Sequence, residues 1–195
     1  MLDTLFTVAT GKVALVAFAV FVLSSLVLGR FNPKNEIRED LGSSYISTDS
    51  PFQTKDPFWY DTGRVTAMLR GYDKDPDRYY GLHRSFILGW DLFYPLCYGI
   101  PSILLLAYFC PWRSGSPRWL VLLPLATMAF DYGENFTMLA FLRRFRTNHE
   151  TPLGLLEASR LFTSAKWLGV SITLVVLLLF IAGGFFLRRR GAAEG

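Results

Sequence analysis

The sequence predicts an all-α membrane protein: four transmembrane helices in an antiparallel bundle, with a long first loop that contains a short interfacial helix. Three observations carry this. Four stretches, at about 5–28, 86–109, 119–142 and 161–187, are apolar and long enough to cross a bilayer core, which takes roughly 20 residues of helix. The composition agrees, with 51% hydrophobic and 16% aromatic residues in a chain of 195. Two of the three connections, PWRSGSP and RTNHETPLG, are brief, and short links make consecutive helices antiparallel neighbours. The chain reads as a single membrane domain over 1–195, with 30–84 outside the bilayer.

The first segment has the length of a signal-peptide core. Lys12 is opposed by Asp3, however, and no A-x-A site follows, so the segment is read as a retained helix. The loop after it opens with RFNPKNEIREDLGSSYISTDSPFQTKDPFW, a Ser-, Pro- and charge-rich stretch expected to be irregular. Trp59 and Tyr60 have the amphipathic character of residues at a membrane surface. In the second half of the loop Asp61 or Thr62 can cap a short helix near 62–71, which Gly71 ends. Asp75 followed by Pro76 is the start signal of another helix, running into the second membrane segment. Pro95, Pro101 and Pro124 interrupt the second and third segments and are expected to kink them. The fourth segment stops at Arg188-Arg189-Arg190, a membrane exit.

Several function classes lose support at once. The formal charge of +4 comes from arginines clustered at helix ends, as in LRRFR and LRRRG, where they reach to lipid headgroups. No basic soluble face points to nucleic acid. Cys97 and Cys110 lie about 19 Å apart on a continuous helix, too far to bridge each other. No CxxC, HxxxH or HExxH occurs, and His83 and His149 lie near or outside the interface, so a zinc site is disfavoured and no cofactor is expected; Asp131 and Glu134 could still serve as acid and base, or ligate a hard cation with Asn135 through oxygen. A P-loop and a nucleophile elbow are likewise missing. Asn135-Phe136-Thr137 matches a glycosylation sequon, but its depth makes the match fortuitous.

The informative residues are the few polar ones inside the apolar segments. AFDYGENF places Asp131, Glu134 and Asn135 in the third segment, Asp91 lies in the second and Lys166 in the fourth. Counted from the side facing the long loop, Asp91 and Lys166 lie about 8 Å deep, Glu134 about 12 Å and Asp131 about 16 Å. At 100° per residue Asp131, Glu134 and Asn135 share a face with Thr127 and Met138. Arg84, Asp91 and Tyr98 form a stripe with Tyr94 beside it, and Ser159, Thr163, Lys166 and Thr173 form another. A charged residue at a helix centre costs roughly 2.5–3.5 kcal/mol on an insertion scale, so the three stripes are expected to face one another. The candidate pocket is therefore Asp91, Tyr94, Tyr98, Asp131, Glu134, Asn135, Thr163 and Lys166. His83, Arg84 and Arg160 are interfacial candidates, with Arg84 or Arg160 placed to reach the acids.

The runs DLFYPLCYG (Asp91 to Gly99), FDYGENF (Phe130 to Phe136) and SRLFTSAKW (Ser159 to Trp167) resemble a family of small four-helix integral membrane proteins. Its pattern is D-x-x-[FY]-P-x-x-Y, D-x-x-E-N and T-x-x-K-W in that order, preceded by a short soluble helix. The resemblance covers about Thr62 to Leu187 and implies architecture, not mechanism. Its motif positions are Asp91, Pro95 and Tyr98, then Asp131, Glu134 and Asn135, then Thr163, Lys166 and Trp167.

The expected role is a multi-pass membrane protein of unassigned activity, whose buried polar cluster holds the bundle together. The alternatives are an intramembrane lipid-modifying enzyme or lipid-binding protein using the carboxylate and lysine pocket, a small proton-coupled transporter, and an accessory subunit of a membrane complex. Membrane lipids are the expected partners, with a homodimer or a larger assembly possible. Lysines and arginines nearly balance across the two sides, so orientation stays open.

Overall fold

The computed structural model describes residues 2–30, 70–72, 74–110, 116–148 and 152–193, all in helices or short turns. Among the described residues six α-helices follow in order: α1 (Leu2–Val8), α2 (Gly11–Arg30), α3 (Pro76–Phe86), α4 (Leu92–Phe109), α5 (Leu123–Asn148) and α6 (Leu153–Ala193). A π-helical turn, Ile87–Asp91, joins α3 to α4, and a 3-10 turn, Ser116–Leu122, leads into α5. The helix near 62–71, Trp59, Tyr60 and His149 fall outside the described residues, apart from a helical turn at 70–72.

Among the described residues, two helical stretches are long and apolar enough to cross a membrane, Asp77–Phe109 and Leu153–Gly183. The stretches Leu2–Val8 and Gly11–Val27 qualify as a pair but meet at 88°, as a broken span or a re-entrant loop. Helix α5, expected as the third crossing, is not among them. Its own residues explain this: Asp131, Glu134, Arg143, Arg144 and Arg146 all lie on it. The four-crossing expectation thus rests on α5 turning its acids inward, since an acid facing lipid would carry its full insertion cost.

Two helices begin earlier along the chain than hydropathy alone suggests. Asp75 caps α3 as its start signal predicts, its carboxylate accepting from the Arg78 backbone N–H at 3.3 Å, with Pro76 in the first turn. Replacing Asp75 with alanine should cost about 1 kcal/mol, read as a small drop in melting temperature; an unchanged midpoint would show the cap to be idle. Helix α6 starts at Leu153 instead of 161. Pro124 is the second residue of α5 and is buried; it lies where the 3-10 helix Ser116–Leu122 passes into α-helix, so it marks a change of helix type at the start of α5. Pro95 and Pro101 do lie inside α4.

Helix α2 packs along α4, and α5 lies between α4 and α6 with its most extensive packing against α6. Small residues allow the close approaches. A Cβ on Gly133 of α5 would sit 2.7 Å from the Phe162 ring of α6, and one on Gly169 of α6 would overlap the Thr127 hydroxyl of α5. Such small-residue contacts are how helices pack where water drives nothing together.

Two apolar cores lie at opposite ends of the bundle. One is aromatic: Tyr72, Tyr79, Tyr80 and Phe86 meet Phe141, Phe145 and Leu156. Asp77 pairs with Arg146, whose guanidinium also lies 5.9 Å from the centre of the Tyr80 ring. The other core gathers Phe6, Ala9, Leu106, Ala107, Val121, Val176 and Phe180. Between these ends sit the buried acids Asp131 and Glu134. The outer faces stay apolar and exposed, as at Phe93, Ile100, Leu161, Leu168 and Leu179.

Candidate functional site

Helix α5 buries one continuous face, with Thr127, Met128, Asp131, Glu134, Asn135 and Met138 all inside. Asp131 and Glu134 are only 3% and 6% exposed, so both need partners. Helix α6 supplies one. Lys166 Nζ lies 3.2 Å from Asp131 Oδ1 and also pairs with Glu134 Oε2. Helix α4 supplies another, as Tyr98 donates its hydroxyl proton to Asp131 Oδ2 at 2.9 Å. Thr163 is buried and donates to the Ser159 carbonyl at 2.9 Å. Asp131 thus ties α4, α5 and α6 at one point.

Asn135 closes a different gap. Proline at 95 has no N–H to give to the carbonyl four residues earlier, which is that of Asp91. The side-chain amide of Asn135 donates to this carbonyl at 3.0 Å. The π turn over Ile87–Asp91 ends at the same residue, and such turns mark local rearrangement of helical hydrogen bonding. A break in α4 is therefore filled by a side chain from α5.

The eight pocket residues predicted from the sequence lie on the facing parts of α4, α5 and α6 or at the turn before α4. Asp91 and Tyr94 border the same space as Tyr98, Asp131 and Lys166, and the rings of Tyr94 and Tyr98 stand 5.4 Å apart.

The interfacial candidates separate from this group. Arg84 is exposed: the π turn changes the helical phase between it and Asp91, so the seven-residue spacing no longer keeps them on one stripe. Arg160 pairs with Glu157 on its own helix at 3.2 Å. His83 is buried in the aromatic core, its Nδ1 3.1 Å from the Tyr72 hydroxyl. The ion pairs of the buried acids Asp131 and Glu134 run to Lys166. Cys97 is half-buried and Cys110 buried, and neither takes part in a disulfide. Among the described residues no group of three or more His, Cys, Asp or Glu is arranged to hold a metal ion.

Beside the polar cluster opens a cavity of about 970 Å³. Its polar end is Asp91, Tyr94, Tyr98, Asp131 and Lys166, and the remainder is chiefly apolar, with walls from α2, α4 and α6. Leu15, Phe18 and Leu174 line it while remaining more than half exposed, which places an apolar rim between α2 and α6. Sequence reasoning did not foresee α2 as a wall. A trace of it was there in Gly11 and Ala14, small residues at helical spacing that both line the cavity.

No protein-family model, curated protein or solved structure matches this chain.

Proposed function

We propose that this chain is a multi-pass, four-crossing membrane protein that receives an amphiphile, a membrane lipid or a molecule of similar build, in the cavity between α2, α4 and α6. The observation that carries the proposal is the cavity itself: about 970 Å³, with charged and phenolic groups at one end and mainly hydrocarbon along the rest. An apolar space of this size is poorly suited to water, which needs two to four polar partners per molecule. Its volume lies near the upper end of the range for small-molecule sites. The apolar rim at Leu15, Phe18 and Leu174 favours entry from the lipid side over entry from water.

A second role runs alongside, favoured by the hydrogen bonds and ion pairs of Asp131, Glu134, Lys166 and Tyr98. These groups brace the bundle and at the same time form the floor of the cavity. Membership in the small four-helix family resembled by the three motifs fits both roles, because its motif positions include the brace residues Tyr98, Asp131, Glu134 and Lys166.

The test is occupancy. Protein purified in a mild detergent should carry lipid that mass spectrometry detects after extraction. Val170→Trp, which places an indole in the cavity wall, should cut that lipid several-fold while leaving the melting temperature within a few degrees. Equal lipid in both proteins would sink the proposal.

A further inference from the structure

Resting on that reading, we infer that the occupant is an ester-linked lipid, and that Ser102 of α4 and Thr173 of α6 are the hydroxyls that meet its acyl carbonyl. Contacts between the helices set their register around the cavity. Helix α5 runs against both neighbours: Asn135 meets Asp91 and Met128 meets Gly99 on α4, while Asp131 meets Lys166 and Thr127 meets Gly169 on α6. Thr127 and Met128 adjoin in the chain, so Gly99 and Gly169 lie at one level. Ser102 is three residues past Gly99 and Thr173 four past Gly169, about 4.5 and 6 Å of helix in the same direction. Both residues line the cavity. A second polar level thus stands about 6 Å past Tyr98 on α4 and about 10 Å past Lys166 on α6.

Thr173 gives a separate sign of an occupant at this level. Hydroxyls elsewhere on α5 and α6 donate to a backbone carbonyl one turn earlier: Thr137 to Gly133 at 2.8 Å, Thr163 to Ser159 and Ser171 to Trp167 at 2.9 Å. Thr173 does not. It is 9% exposed, and its hydroxyl has no hydrogen-bond partner among the described residues. A buried hydroxyl left unpaired costs free energy, and an acceptor on the occupant removes that cost. Ser102, half-buried, brings a second hydroxyl from the facing helix.

The walls around the two hydroxyls select the group they meet. Leu105 of α4 and Val170, Leu174 and Leu177 of α6 line the same stretch, so a donor on the occupant would find little to accept it. A carbonyl oxygen carries two lone pairs and no hydrogen, and it can accept from either hydroxyl or from both. A plain alkyl tail would leave Thr173 unpaired, and an amide would bring an N–H in need of its own partner. A glycerol ester has the required order of parts: polar head at the floor, carbonyl one level on, hydrocarbon beyond.

The experiment measures binding of two radiolabelled probes, 1-palmitoylglycerol and 1-O-hexadecylglycerol, to the full chain in dodecyl maltoside. They share head and tail length and differ only in the carbonyl. The ester should bind about tenfold tighter than the ether, the scale of one buried hydrogen bond. Thr173→Val keeps the side-chain shape; it should narrow the difference to about threefold or less and leave the melting temperature unchanged or higher. Ser102→Ala is the second variant, in case valine disturbs the fold, and should narrow it in the same sense. Equal binding of ester and ether, or a preference that both variants leave intact, would overturn the carbonyl site while leaving the cavity reading in place. Binding of neither probe, or binding of both that Val170→Trp leaves unchanged, would remove both readings.

Discussion

Replacing Lys166 with methionine should destabilise the bundle by about 3–5 kcal/mol, the cost of leaving buried acids without their counter-charge. Lys166 bridges Asp131 and Glu134 in a place where its side chain is only 15% exposed. Methionine fills similar space, so the effect is electrostatic and not one of packing. The expected readout is a melting temperature in detergent lower by on the order of 10 °C. Adding Glu134→Gln and Asp131→Asn to the methionine variant should recover much of the loss, because neutral amides carry no unpaired charge. A methionine variant as stable as the parent would mean that the acids are compensated some other way, and the brace would be lost as an idea.

Asn135→Leu should cost about 1–3 kcal/mol, the range for leaving a buried polar partner unsatisfied. Its amide bonds the Asp91 carbonyl that Pro95 leaves open, so the two residues should not act independently. Pro95→Ala returns an N–H to the helix in position to reach that carbonyl. Made in the leucine background, it should restore part of the stability; made alone, it should restore none. A double-mutant cycle over the two positions measures this coupling directly. Strictly additive effects would show that asparagine and proline share nothing.

What could be read beforehand followed from cost. Acids and a lysine inside hydrocarbon segments are expensive, so their convergence could be argued from spacing alone, and Asp131, Glu134, Asn135 and Lys166 do meet across α5 and α6 or on one buried face. The start of α3 was equally legible, since Asp75 and Pro76 act through local geometry. Less legible was anything that depends on helical phase or on distant partners. The π turn at Ile87–Asp91 has no compositional mark, and it takes Arg84 off the stripe that simple periodicity assigned to it. The aromatic core was missed because Tyr72 and Tyr79 precede the apolar segments. Their spacing with Tyr80, His83 and Phe86 shows a buried face only once Phe141 and Phe145 are known to cover it. The elbow between Val8 and Gly11 was hidden because the stretch at about 5–28 reads as one apolar segment despite Thr10, Gly11 and Lys12 within it. The cavity belongs to no segment, and spacing within single helices cannot report a space between them.

Phe86 has two duties: it lines the cavity and belongs to the fully packed aromatic end with Tyr72 and Phe141. That makes the far side of the polar floor a stopper. On the proposed reading, a molecule that enters between α2 and α6 meets this packed aromatic end at the inner limit of the cavity, as a guest held in place would.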